Sequence, residues 1–354
     1  MSDNLQPEVV RPAVDENRQT GSLRRRDFLL STGMLAATGS VAYNLREGDE
    51  RGWRADVMVA SASSYSMDLA RVVRDGLAEL GLGSSWAKGK SVLLKPNLVE
   101  PQKAAPHINT HPALVAAVAD VFRSWGAKDV LVAEGPGHCR DTEFVLEQSG
   151  LDDVLQDFKL DFVDLNTNDV ETVANRFRKT RLKALYLPQV IRRADIVVSM
   201  PKMKTHHWVG VTLAMKNLFG VMPGMVYGWP KNVLHQEGIP NSILDINAAV
   251  KPSLAIVDGI VGMEGDGPIM GSPKAAGLIV MGTNLPAVDA TSARLMGIDP
   301  WKVSYLAGAS GRLGPISDSH IRQRGETIAE KSTSFAILDH PSLSHLKAGR
   351  PKIQ

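Results

Sequence analysis

Cysteine is nearly absent from this sequence, which contains Cys139 and no other cysteine in 354 residues. A disulfide bond within the chain is therefore excluded, and so is an iron–sulfur cluster bound only by cysteines of this chain. A bound metal ion would have to be held mainly by histidine, aspartate or glutamate side chains. The cofactor is not identified by the sequence, and a divalent metal ion is one candidate.

Aromatic residues and excess charge are also scarce. Aromatic side chains make up 5% of the chain, and 40 basic residues nearly balance 38 acidic ones to give a net charge of +2. Proteins that bind nucleic acids usually present a basic surface or a platform of aromatic rings. The composition therefore predicts no nucleic-acid partner and no general attraction to membrane surfaces.

The apolar run nearest the N-terminus, residues 28–43, is short and is interrupted by Gly33 and Gly39. Its length does not favour a transmembrane helix. It overlaps a twin-arginine pattern in residues 24–30, which is typical of an export signal. We therefore predict the Tat translocon as a partner and a periplasmic location, or a membrane anchor facing the periplasm if cleavage after Ala42 does not occur. The alternative is a basic tail followed by a short buried helix.

Short runs rich in valine, leucine and isoleucine recur along the rest of the chain and predict buried parallel strands. These runs are residues 56–60, 91–94, 129–133, 196–200, 254–257 and 278–281. Helical patterns lie between several of them, at residues 68–80 with Asp68 as N-cap and at 112–125 with Thr110 as N-cap. The predicted fold class is α/β, a mainly parallel sheet with helices on both faces, in one lobe or two.

The order of these segments predicts three parts of the chain. Residues 1–54 would be the signal peptide and a linker, 55–321 the α/β domain, and 322–354 a C-terminal extension. The extension is polar apart from residues 335–338, which would form a last strand or pack as an apolar patch.

Polar or glycine-rich loops follow five of the predicted strands. In open parallel sheets, ligands bind beyond the carboxyl ends of the strands, so these loops predict a common site. Lys95 and Asn97 follow one strand, and Gly135 and Gly137 follow the next. A glycine loop before a helix can approach an anion closely, although this one matches neither a P-loop nor a dinucleotide-binding pattern.

Lysines follow the strand predicted at residues 196–200. Lys202 and Lys204 alternate directly after it, while Lys216 and Asn217 fall in a helix predicted over residues 211–219. Lysines close to a helix start predict a pocket for a carboxylate or a phosphate group. The alternative is that these lysines are solvated loop residues.

Histidine and carboxylate residues follow the same strand ends. His206 is a candidate metal ligand or general base, and Asp258 directly follows a strand. Glu264 and Asp266 lie in the glycine-rich loop beyond it. Together these four residues are the predicted ligands of a divalent metal, and His206, Asp258 and Lys204 are the predicted catalytic residues. The alternative is that the carboxylates form ordinary salt bridges with the lysines.

Several motifs occur in an order that resembles the DUF362 family, over roughly residues 92–300. They are Lys95-Pro96-Asn97, Thr110-His111-Pro112, Pro201-Lys202-Met203-Lys204-Thr205-His206, Lys216-Asn217-Leu218-Phe219-Gly220, Asp258-Gly259 and Asn284-Leu285-Pro286-Ala287-Val288-Asp289. The family name marks a domain of unknown function. Some members carry ferredoxin-like cysteine clusters, which this chain lacks, so the resemblance supports the predicted site and implies no electron transfer.

Our leading hypothesis is an exported enzyme that acts on a small anionic substrate with the help of a metal- or anion-binding cleft. Lys202, Lys204 and Lys216 would bind the anion. Metal-assisted hydrolysis and proton abstraction beside a carboxylate both suit this set of residues. The alternatives are a non-catalytic protein that binds an anion or a metal, and a maturation partner of another exported enzyme.

Overall fold

The structure of the protein is a computed structural model that describes residues 49–137 and 141–347. The predicted export signal and Cys139 lie outside the described residues. All described residues belong to one compact unit, so they show no division into two lobes.

The six buried strands predicted from the sequence are present, and further strands extend the sheet, whereas residues 335–338 form no strand. The strands in the described residues are β1 (Ala55–Ser61), β2 (Ser91–Pro96), β3 (Asp129–Glu134), β4 (Asp161–Asp164), β5 (Val170–Ala174), β6 (Ala184–Pro188), β7 (Ile196–Met200), β8 (Lys202–His206), β9 (Gly210–Thr212), β10 (Leu254–Glu264), β11 (Ser272–Gly282) and β12 (Ile321–Gly325).

The described strands form a 10-stranded sheet and a separate hairpin of β5 and β6. The main order is β12-β1-β11-β10-β7-β2-β3-β4, with β8 beside β10 and β9 beside β8. Within the 10-stranded sheet, pairing is parallel except along β11 and between β8 and β9, which confirms the predicted mainly parallel sheet. Because β11 is antiparallel to β10, the loop after it opens at the opposite edge from the loops that follow β2, β3 and β10.

Helices precede or follow most of the strands. Those in the described residues are α1 (Leu69–Glu79), α2 (Ser84–Ala87), α3 (Pro112–Ser124), α4 (Thr142–Ser149), α5 (Leu151–Asp157), α6 (Gln189–Arg193), α7 (Ala214–Asn217), α8 (Gly224–Tyr227), α9 (Asn232–Gln236), α10 (Ile239–Val250), α11 (Leu285–Leu295), α12 (Ser304–Ala309) and α13 (Ile328–Lys331). None of the described helices is long and apolar enough to cross a membrane.

The two long helices predicted from the sequence differ in how their N-termini are capped. The carboxylate of Asp68 accepts a hydrogen bond from the Arg71 N–H, as predicted for α1. The prediction of Thr110 as the cap of α3 is wrong, because His111 occupies that position and accepts from the Ala113 N–H. The Thr110 hydroxyl donates instead to the Met200 carbonyl at 2.6 Å and so ties this loop to the end of β7.

Apolar side chains pack on both faces of the sheet. Val92 and Leu94 of β2 belong to a core that includes α1 and α3, whereas Leu93 belongs to a second core that includes α10 and α11. Successive residues of a strand point to opposite faces, so this division follows from the alternation along β2. The predicted placement of helices on both faces is confirmed.

Strand β8 continues the path of β7 after an interruption at Pro201. β10 pairs with β7 near Leu254 and then with β8 at Asp258 and Met263. The whole of β8 is buried. The predicted helix over residues 211–219 is wrong in its first part, because Val211 lies in β9 and pairs with Thr205 of β8, and the helix α7 is only four residues long. A β-branched side chain suits this paired position.

Candidate functional site

A cavity of about 490 Å³ lies at the carboxyl ends of β2, β3 and β8. It brings together nine of the twelve residues that the sequence predicted for the site. These are Lys95, Asn97, Gly135, Gly137, Lys204, His206, Lys216, Asn217 and Asp266. Lys231 and His235 also line the cavity, although neither is among the site residues predicted from the sequence. A more open groove of about 570 Å³ lies beside α1 and α3, and none of the described residues that line it is a fully buried lysine.

The deepest part of the cavity is built on a buried ion pair between Lys95 and Glu134. These residues stand at the ends of the adjacent parallel strands β2 and β3. The Lys95 ammonium also donates to the Pro96 carbonyl at 2.8 Å and to Asn217 Oδ1 at 3.2 Å. Glu134 Oε1 accepts from the Gly135 N–H at 2.8 Å. Lys95 therefore has its charge balanced inside the protein, and it fixes the position of Asn217.

Lys204 is fully buried and differs from Lys95 in its partners. Its ammonium donates to the carbonyl oxygens of Ile108 at 2.9 Å and Pro268 at 3.1 Å. No carboxylate of the described residues forms an ion pair with it. Burial, followed by the nearby charges of Lys202 and Lys216, holds the pKa of Lys204 well below its usual value. An anion beside this ammonium would favour its charged form.

Two more lysines of the cavity have no ion pair with a carboxylate in the described parts of the chain. Lys216 is half-buried, with its ammonium 4.3 Å from the centre of the Phe219 ring. Burial lowers its pKa to about 8, and the charge of Lys95 acts in the same direction. Lys231 is buried and donates to Asn166 Oδ1, and burial lowers its pKa to about 8 as well. The cavity thus gathers Lys204, Lys216 and Lys231, and none of these three ammonium groups forms an ion pair with a carboxylate of the described residues.

The two histidines of the lining have complementary hydrogen-bonding roles. His206 Nδ1 accepts from the Trp208 N–H at 3.1 Å, so the neutral ring carries its proton on Nε2. His235 Nδ1 lies 3.0 Å from the Lys231 carbonyl, which only accepts, so this ring carries its proton on Nδ1 and leaves Nε2 as a base. Burial lowers the pKa of both rings, that of His206 strongly. At neutral pH the Nε2 atom of His206 is thus a hydrogen-bond donor and the Nε2 atom of His235 a hydrogen-bond acceptor and potential base.

Two buried polar atoms of the lining make no hydrogen bond within the described residues. They are Asn97 Oδ1 and Thr212 Oγ1, and both residues are less than one-tenth exposed. Buried polar atoms in proteins almost always have a partner. The lining therefore offers neutral hydrogen-bonding groups in addition to the lysines.

Asp258 and Lys202 lie outside the cavity, in an ion pair of 2.6 Å that is fully buried. Residue 258 of β10 is in register with residue 202 of β8, which places the two side chains together. The Asp258 carboxylate also accepts from the Tyr65 hydroxyl and the His111 N–H, each at 2.9 Å. All of its oxygens are therefore occupied by protein donors.

The four residues predicted as metal ligands do not meet. Glu264 forms an ion pair with Lys274 at 3.3 Å, away from the cavity. Asp266 lies on the cavity beside His207, with 3.2 Å between Oδ1 and the ring Nδ1. In the described residues no group of three or more His, Cys, Asp or Glu side chains is arranged to hold a metal ion. Asp258 and Glu264 instead form ion pairs with Lys202 and Lys274. For these two residues the structure agrees with the alternative prediction that the carboxylates form ordinary salt bridges with lysines.

Asp289 of α11 supports the cavity from behind. Its carboxylate is buried and accepts from the backbone N–H groups of Ala214 at 2.7 Å and Met215 at 2.9 Å, at the start of α7. Burial raises its pKa to about 8, against the effect of these two hydrogen bonds. Because α7 carries Lys216 and Asn217, Asp289 fixes where these two side chains enter the cavity.

Fold and site together define an α/β protein with a lysine-rich cavity at the carboxyl edge of a mainly parallel sheet. The chain belongs to the DUF362 family, described as a domain of unknown function, which matches residues 92–294. Every residue that lines the cavity falls inside that match.

A curated relative and two solved structures are similar to this chain. The thylakoid-associated protein sll1697 of Synechocystis sp. (strain ATCC 27184 / PCC 6803 / Kazusa) is 31% identical over 242 residues, which is 66% of this chain and 71% of the relative. The lactate racemase apoprotein from Thermoanaerobacterium thermosaccharolyticum has 14% identity and a TM-score of 0.41, over 58% of this chain and 51% of its own. A protein from Thermotoga maritima has 12% identity and a TM-score of 0.34, over 69% and 59% of the two chains. The chain thus spans about half of the racemase, and neither structural likeness supports a statement about function.

Proposed function

We propose that the cavity binds a small organic anion with a carboxylate or phosphate group, and that the protein transfers protons to and from this anion. The observation that supports the proposal is the set of three lysines, Lys204, Lys216 and Lys231, that lack a carboxylate partner among the described residues. An unpaired buried charge is costly, and a bound anion removes that cost.

The two histidines give the cavity its proposed chemistry. With the anion held by the lysines, His235 Nε2 would accept a proton from the ligand and later return one to it, while the neutral His206 ring would donate a hydrogen bond to the ligand from Nε2–H. The lysines would also stabilise negative charge that develops during proton removal beside a carboxylate. The proposal takes His206 and Lys204 from the sequence-based set of catalytic residues and adds His235.

The proposal is tested by hydrogen exchange at carbon in a panel of small carboxylates. We expect one class of ligand to raise the melting temperature of the purified protein, and we expect its C–H signal beside the carboxylate to disappear in D₂O when followed by proton NMR. His235→Gln should slow this exchange by about 100-fold or more, since one general base contributes roughly 10²–10⁴ in rate. It should change ligand affinity by less than about threefold.

Three outcomes of this experiment differ in meaning. Hydrogen exchange that depends on His235 supports the proposed proton-transfer activity. Ligand binding without exchange at any carbon would contradict proton transfer and favour a non-catalytic anion-binding protein. No stabilisation by any carboxylate or phosphate would contradict the anion site itself. His340→Gln, a histidine outside the cavity lining, is the matched control for the substitution.

We further propose that the protein acts outside the cytoplasm after export by the Tat pathway. The twin-arginine pattern in residues 24–30 supports this location, and the curated relative is named as a thylakoid-associated protein. Cell fractionation tests it: Arg24→Lys combined with Arg25→Lys and Arg26→Lys should retain the protein in the cytoplasm. An unchanged distribution between fractions would contradict export by this route.

A further inference from the structure

The mouth of the cavity carries large exposed apolar side chains, whereas its interior is cationic. Trp208 and Met270 both line the cavity, yet they are 57% and 78% exposed, so they stand at its opening. Ile269 and Pro230 are further apolar residues of the lining, which also includes the half-exposed carboxylate of Asp266. Lys95 and Lys204, by contrast, are fully buried at the inner end. The cavity therefore has two chemically distinct ends.

The exposed indole of Trp208 is held in place. Its ring contacts the rings of His207 and His235 edge to face, with centroids 4.6 and 5.7 Å away. Its backbone N–H donates to His206 Nδ1 in the turn between β8 and β9. A large aromatic side chain that is fixed by such contacts and still exposed offers a preformed apolar surface to a ligand.

We propose that the ligand is a soluble organic anion that carries an apolar group, such as an aromatic ring or a short alkyl chain, at the end opposite its charge. This inference rests on the proposed anion site and specifies its ligand class. The carboxylate or phosphate group lies against Lys204 and Lys216, and the apolar group lies against Trp208 and Met270. A volume of about 490 Å³ accommodates a headgroup with one ring, well beyond the size of an inorganic anion.

Calorimetry with two pairs of ligands tests this inference. The pairs are inorganic phosphate with phenyl phosphate, and acetate with phenylacetate. The intact protein should bind the phenyl member of each pair about tenfold or more tightly, because burial of one ring face against Trp208 removes apolar surface from water. The double variant Trp208→Ala/Met270→Ala should reduce that preference to about threefold or less, while its affinity for inorganic phosphate or acetate stays within about threefold of the intact protein.

Matched controls separate the mouth from other exposed apolar residues. Met225→Ala removes a methionine that is 70% exposed and lies outside the cavity lining, and it should leave the preference unchanged. Trp208→Phe should keep part of the preference, because it retains an aromatic face.

The outcomes also separate this inference from the proposed function. Equal affinity for the two members of each pair would overturn the apolar end while leaving the anion site intact. No binding of any of the four ligands would overturn the proposed function and the inference with it. A third result is that the protein sediments with phosphatidylglycerol vesicles in a way that depends on Trp208, without any preference for the phenyl ligands. That result would overturn the inference of a soluble ligand and indicate a membrane lipid.

Discussion

Lys204→Met is expected to weaken anion binding by about 100-fold or more. Lys204 is fully buried and has only carbonyl partners in the described residues, so its ammonium is available to the ligand's charge. Truncating one partner of a buried charge pair typically costs 2–5 kcal/mol in affinity, or about 30- to 5,000-fold. Methionine keeps much of the lysine stem, which limits the loss of packing. Titration calorimetry with the best ligand measures the effect.

The same substitution should not destabilise the protein in the absence of ligand. A lysine whose pKa is lowered by folding makes the folded state less stable at neutral pH, because the charged form is disfavoured there. We therefore expect the melting temperature of unliganded Lys204→Met to equal or exceed that of the unchanged protein. Lys128→Met, at a lysine whose side chain is 71% exposed, is the control and should change neither quantity. Tight binding retained by Lys204→Met would contradict the role of this lysine.

The pH dependence of anion binding has a definite sign. The pKa values of Lys216 and Lys231 are lowered to about 8, and that of Lys204 is lowered as well. The bound anion favours the charged lysines and raises their pKa values, so binding takes up protons. Affinity should therefore be higher at pH 7 than at pH 9. An affinity that rises over this range would contradict the role of the lysines.

Asp258→Asn is expected to lower the free energy of unfolding by about 3–5 kcal/mol, because it leaves the buried Lys202 ammonium without its counterion. Urea denaturation followed by tryptophan fluorescence measures this change. Asp266→Asn serves as the control, since its side chain is 47% exposed and its loss should change stability by about 1 kcal/mol or less.

Asp258→Asn also distinguishes a structural role from the catalytic role that the sequence predicted. The structure leads us to expect that the folded fraction of the variant binds anions with nearly unchanged affinity. Replacing both partners, as in Lys202→Met/Asp258→Leu, should recover most of the stability, because no unpaired charge remains. A variant with unchanged stability but no turnover would show instead that Asp258 is catalytic.

Much of the fold was predictable because short apolar runs and helical periodicity carry most of the information about a parallel sheet. The run at residues 196–200 coincides with β7, and Asp68 caps α1 as expected. The prediction of a helix over 211–219 failed because the first residues of this segment pair with β8. The intrinsic conformational propensity of the residues does not reveal such a contact between separate segments. The antiparallel direction of β11 is likewise decided by long-range pairing.

The cavity was predictable where polar residues follow parallel strands. Lys95 and Lys204 were found by that rule. Lys231 and His235 were not predicted, because they follow the helix α8 and not a strand, and they belong to none of the recognised motifs. Asp258 was assigned to the site because it also follows an apolar run, and only the register of β10 with β8 reveals its pairing with Lys202.

The most direct test of the anion site is a crystal structure of the protein with bound selenate, an anion that scatters X-rays anomalously. We predict an anomalous peak inside the cavity, within hydrogen-bonding distance of the Lys204 and Lys216 ammonium groups. This peak should be lost in crystals of Lys204→Met grown under the same conditions. Selenate found only at the protein surface, with the cavity free of it in the unchanged protein, would contradict an anion site built from these lysines.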